Sequence, residues 1–94
     1  PIMYRVVIHR SDVDSISVVN LSEAQHLKPK VRLFGTSIPG YSLGWFRLAD
    51  GSKAFLAVSA DRAVAIRLRD GSYVIITPSD FNGFLAALKS FGWI

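Results

Sequence analysis

The dipeptide Asp-Gly occurs twice, at Asp50-Gly51 and Asp70-Gly71, each time between two runs of apolar and β-branched residues. Asp-Gly in that setting is a strong hairpin signal, because a type I′ turn needs positive φ at both central residues. The first turn separates Ser42 to Leu48 from Lys53 to Ser59, and the second separates Ala63 to Leu68 from Tyr73 to Thr77. Ala60-Asp61-Arg62 reads as a further reversal. These four strands are expected to follow one another as a meander.

Upstream, Met3 to His9 alternates Tyr4, Val6 and Ile8 with Arg5, Val7 and His9, the period of a first strand. The polar turn Ser11 to Ser15 leads to a second strand, Ile16 to Leu21. Glu23 to Lys28 reads either as a short helical turn or as an irregular crossover, ended by Pro29. Lys30 to Gly35 is the third strand, and Thr36 to Gly40 reads as a loop. After Thr77 the period changes from two to 3.6. Thr77 is expected to cap a helix over about 78–91, with Pro78 as its first residue and Asp80 three positions on from the cap. Phe81, Phe84, Leu85, Leu88 and Phe91 form one apolar stripe, and Gly92 is a stop. The expected fold is mainly β: a seven-stranded antiparallel bent sheet or barrel capped by one C-terminal helix. Each large stripe residue buried in that closure contributes ~1.5–3 kcal/mol.

With 94 residues, half of them hydrophobic, the chain has material for one core and is read as a single domain, 1–94. It begins with Pro1 and is expected to be part of a larger protein. The absence of cysteine excludes thiol catalysis, disulfides and cysteine-based metal sites. The formal net charge is +4, but the basic residues are scattered, with no polybasic tether. The longest uncharged stretch, Leu33 to Phe46, holds Gly35, Pro39, Gly40 and Gly44 and falls short of the ~20 apolar residues of a membrane span. Neither a nucleophile elbow, a P-loop nor a dinucleotide glycine motif occurs. His9 and His26 lack a carboxylate-rich partner set, so no metal and no cofactor are expected.

The succession Gly40-Tyr41-Ser42-Leu43-Gly44-Trp45-Phe46-Arg47-Leu48-Ala49-Asp50-Gly51 resembles bacterial PH-like domains. So do Ala63 to Arg67 and Tyr73 to Phe81, and the resemblance extends over roughly residues 30–91. It implies a pleckstrin-homology-like barrel capped by a C-terminal helix, and a role as the soluble part of a membrane-associated bacterial protein. The matching positions are glycines, turn residues and core residues, so they carry fold information and almost no catalytic information. Phosphoinositide-binding PH domains cluster basic residues on the first two strands and the loop between them. Here that region offers Arg5, His9 and Arg10 against Asp12 and Asp14, and an inositol-phosphate pocket there is not expected.

Four groups remain as candidates. Lys28, Lys30 and Arg32 alternate into the third strand, which reads as a small cationic stripe for lipid headgroups, acidic peptide or nucleic acid, or as charge that protects an edge strand. Tyr41 and Trp45 read as an interaction surface or as a peripheral part of the core. Arg67 and Arg69 read as an ordinary wet face. Arg47 and Lys53 flank the first Asp-Gly turn, where like charges repel, so an offset register or a neighbouring acid is expected. The leading functional expectation is a non-catalytic binding or assembly module acting by protein recognition or self-association. The alternative is peripheral binding to anionic lipid through Lys28, Lys30 and Arg32. Nucleic acid and small-molecule substrates are not expected, and the expected location is cytoplasmic, with any membrane attachment outside this chain.

Overall fold

A computed structural model gives the structure, which describes residues 6–94. Among the described residues six strands and one α-helix follow in order: β1 (Val13–Asn20), β2 (Pro29–Ile38), β3 (Tyr41–Leu48), β4 (Lys53–Val58), β5 (Arg62–Leu68), β6 (Tyr73–Ile76) and α1 (Phe81–Ser90). They form one bent, open sheet in the order β1-β5-β6-β4-β3-β2, with the helix at its C-terminal end. The mainly β class is therefore as the sequence implies. Of the strand expected at Met3 to His9, Met3 to Arg5 lie outside the described residues. Val6 to His9 pair with no strand, although Val6 and Ile8 do turn their apolar side chains into the core.

The meander is not formed. β5 pairs with β1 and β6, while β6 inserts between β5 and β4, antiparallel to the first and parallel to the second. The sheet is thus not purely antiparallel. The reason lies in β6 itself: Val74-Ile75 is apolar on both faces, which requires a central position covered from both sides. A meander would have left that strand on an edge.

The two Asp-Gly turns also differ from expectation. Only glycines take positive φ among the described residues, so Asp50 and Asp70 exclude a type I′ turn. Instead Gly51 N–H donates to Leu48 O (3.0 Å), and Leu48 N–H donates to Ser52 O (2.8 Å). The same pair of bonds recurs from Gly71 to Leu68 and from Leu68 to Ser72. Each loop is a type I turn followed by a left-handed glycine. Asp50 and Asp70 each accept the backbone N–H two residues on, at 2.8 and 2.9 Å.

Both sheet faces are covered. On one, Phe46, Leu48, Leu56, Ala65 and Ile75 pack against Leu27 from the crossover between β1 and β2. On the other, Phe55, Val64, Ile66 and Val74 receive Phe81, Phe84 and Leu85 of α1. Arg62 places its guanidinium 3.9 Å from the centre of the Phe81 ring, tying β5 to the helix start. The cap is Asp80 rather than Thr77. Asp80 Oδ1 accepts the Gly83 N–H (3.0 Å), while Thr77 stays with the sheet through its N–H to Ala57 O and its hydroxyl to Arg62 O. At the other end Gly92 N–H donates to Lys89 O and Trp93 N–H to Leu88 O, a Schellman motif. That reversal brings Trp93 back onto the second core and leaves Phe91 78% exposed, so Trp93 takes the place expected for Phe91.

Candidate binding surface

β2 is an edge strand of ten residues in which every residue but Gly35 is exposed. Apolar side chains of Val31, Leu33, Phe34 and Ile38 stand in solvent on it, Phe34 at 56% and Ile38 at 58%. The opposite edge is different: β1 carries Asp14, Ser15, Ser17 and Asn20 among its exposed positions.

The register divides β2 in two. Between Pro29 and Val31, and again between Arg32 and Phe34, an extra residue breaks the pairing with β3. Proline, charge and bulges all discourage a further strand from pairing, and Pro29, Lys30 and Arg32 concentrate them in the first half. From Phe34 to Ile38 the pairing is uninterrupted and there is no charge and no proline. Phe34 and Gly35 end the expected third strand, whereas Thr36 to Ile38 fall in the expected loop; these three instead continue the strand, and only Pro39-Gly40 turn. Gly40 at φ 78° supplies the left-handed position of that turn.

The strand is also bent. Pro29 and Ile38 both line one crevice of about 260 Å³, with Leu27, Lys28, Tyr41 and Ile75. A straight ten-residue strand would separate its ends by about 30 Å. The two bulges bend the strand, and midway along the hairpin Gly35 faces Gly44.

The structure distributes the predicted residues over this hairpin. Lys28 precedes β2, Lys30 occupies the first bulge, and Arg32 stands opposite Phe46 on the concave face. The bulge interrupts the alternation that would put all three cations on one face. Tyr41 is exposed at the turn end of β3 and shares the crevice with Lys28. Trp45 is half-buried, its ring edge-on to Phe55 at 5.4 Å between centroids, and Phe34 is its cross-strand neighbour on the same face. Arg47 and Lys53 stand directly opposite one another, without the expected offset or acid. They diverge instead: Arg47 Nη1 donates to Gly51 O (2.8 Å), and Lys53 Nζ lies 5.0 Å from the centre of the Trp45 ring. Arg67 meets Asp14 at 3.5 Å and Arg69 Nε donates to Ser11 O, a hydrogen-bonded solvent face. Sequence reasoning missed Thr36 and Ile38, although the uncharged stretch from Leu33 to Phe46 was their signal. It covers the second half of β2, the turn and most of β3.

An open bent sheet with a C-terminal helix packed on one face is the architecture of a PH-type module. The bacterial PH domain profile matches residues 1–91, and the chain belongs to that family. No curated protein and no solved structure gives a significant match. Members of the PH class are in general non-catalytic binding modules. No helix among the described residues is long and apolar enough to cross a membrane.

Proposed function

We propose that this PH-type domain is a non-catalytic recognition module within a longer protein, and that it binds other proteins by accepting an extended segment along the outer edge of β2. The observation that carries this reading is the half-strand Phe34 to Ile38. It keeps an uninterrupted register with β3, is uncharged, lies at the sheet edge and exposes Phe34, Thr36, Ser37 and Ile38. Strand addition draws affinity from main-chain hydrogen bonds and specificity from alternate side chains, and it needs such an edge. The membrane association that the family resemblance implies is carried, in this reading, by segments outside residues 1–94.

Panning a display library of random peptides against the domain, then mapping the selected peptides by amide chemical shifts, tests the proposal. Shifts concentrated on Phe34 to Ile38 support it. Selected peptides that perturb α1 or β1 instead refute it.

A further inference from the structure

The chemistry around β2 specifies its partner further, on the premise that β2 is the recognition edge. From Lys28 to Lys53 the chain carries Lys28, Lys30, Arg32, Arg47 and Lys53 against a single acid, Asp50. Asp50 is held in its own turn by Ser52, Arg47 reaches Gly51 O, and Lys53 lies over Trp45. Among the described residues no carboxylate lies within ion-pair distance of Lys28, Lys30 or Arg32. Positive charge therefore gathers at the Pro29 end of the strand, while the Ile38 end carries no charge of its own and has Asp61 beside it in the crevice.

We infer that β2 takes an extended segment of a partner protein that is apolar in its N-terminal half and carries Asp or Glu in its C-terminal half. The segment runs antiparallel to β2, so that its acidic end meets Lys30 and Arg32. Antiparallel pairing is the more stable arrangement per residue and sets the order of the two halves.

Two other occupants fit less well. Two copies of β2 paired antiparallel about Phe34 would set Lys30 beside Ile38 and Arg32 beside Thr36, leaving every cation without an acid. An anionic membrane is flat, yet Arg32 shares a face with Phe46 whereas Phe34 shares the opposite face with Trp45. One plane cannot touch both, whereas a strand added at the edge presents side chains to both faces.

The probe is a synthetic peptide of alternating valine and threonine followed by a run of glutamates, titrated at low salt and followed by amide shifts. It is compared with a peptide ending in glutamines, one ending in lysines, and vesicles containing phosphatidylserine. The expected result is shifts along Phe34 to Ile38, affinity about tenfold above the glutamine peptide, and a difference that fades with salt. The double variant Lys30→Glu, Arg32→Glu should invert the preference toward the lysine peptide, an outcome a misfolded protein cannot produce. Equal binding of the glutamate and glutamine peptides along β2 would overturn the acidic partner while leaving edge recognition intact. Peptides that leave β2 unperturbed would overturn both readings, as would vesicle binding without peptide binding. A spin label on the glutamate end that broadens Ile38 rather than Lys30 would overturn the antiparallel direction.

Discussion

Gly35 and Gly44 face one another across the β2–β3 hairpin, both at strongly positive φ (135° and 131°), and each fills the space that a side chain on the other would need. A Cβ on Gly35 would lie 2.8 Å from the Gly44 Cα and strike Leu43 O. One on Gly44 would lie 2.7 Å from the Gly35 Cα and strike Phe34 O. The obstacle in both cases is backbone, which cannot rotate away. The two strands touch here, midway along the hairpin that bends around the crevice.

Alanine at Gly44 should therefore destabilise the domain by about 3 kcal/mol or more, combining left-handed strain with a backbone clash. Gly40→Ala is the control, since its φ is also positive but nothing lies within 4 Å of the added atom. It should cost only about 1 kcal/mol. Denaturant melts of the two variants check the contrast. Equal losses would mean that conformational strain alone, not the close approach, sets the cost.

Asp80 and Gly83 form a second coupled pair. A Cβ at Gly83 would come within 2.6 Å of Asp80 Cγ, against the carboxylate that caps the helix. Gly83→Ala alone gains about 1 kcal/mol of helix propensity and loses about the same from the displaced cap, so it should be nearly neutral. With Asp80→Ala already present there is no cap left to displace, and the same substitution should stabilise by about 1 kcal/mol. Chemical denaturation of the four proteins gives the coupling. Additive effects would show that the cap survives beside a methyl group.

Acid should weaken the two Asp-Gly hairpins together. The slight burial of Asp50 pushes its carboxyl up, but hydrogen bonding by Ser52 outweighs this and holds it below the usual value of 3.8, with help from His26 and Arg67. Asp70 is lowered by hydrogen bonding from the Ser72 hydroxyl (2.6 Å) and N–H. A carboxyl whose folded pKa lies below its unfolded one contributes stability that is complete above the unfolded value. That contribution is lost as pH falls through the folded value. Stability should thus decline below about pH 4, and Asp70→Asn should make the decline shallower. Melts at pH 6 and pH 3 read this directly, and an unchanged slope in the variant would remove Asp70 from the account.

How much of this could be read in the sequence depended on whether the cause was local. The helix was legible because its stripe is a property of ten consecutive residues, although the cap moved to Asp80 once Thr77 was held by Ala57 and Arg62. The Asp-Gly hairpins were placed correctly but given the wrong turn, since Ser52 and Ser72 closing three-residue loops leave no hint in the dipeptide. Strand order was not legible from turns, because the short link Ser59 to Asp61 can join neighbours or skip a place. The buried pair Val74-Ile75 was the better guide, as an all-apolar run demands the middle of a sheet. On the candidate surface, the cations Lys28, Lys30 and Arg32 could be named but not faced, because a bulge after Pro29 resets the alternation. The exposed half-strand was hidden by its glycine and serine content, which resembles a loop until Gly35 and Gly44 are seen in contact.

The charges on β2 should have a protective effect that is separable from any partner. Lys30 is the extra residue of the first bulge and Arg32 directly precedes Leu33, the extra residue of the second, after which five residues carry no charge and no proline. Replacing both with valine leaves the bulges and the fold's cores untouched but extends the apolar edge toward Pro29, and long uncharged edges invite edge-to-edge pairing. The Lys30→Val, Arg32→Val protein should associate at concentrations where the unmodified chain does not, as read by light scattering across a dilution series. Substituting Lys28 by alanine, outside the strand, should leave association unchanged. If the double variant stays as dispersed as its parent, the bulges alone guard the edge, and Lys30 and Arg32 have no protective role there.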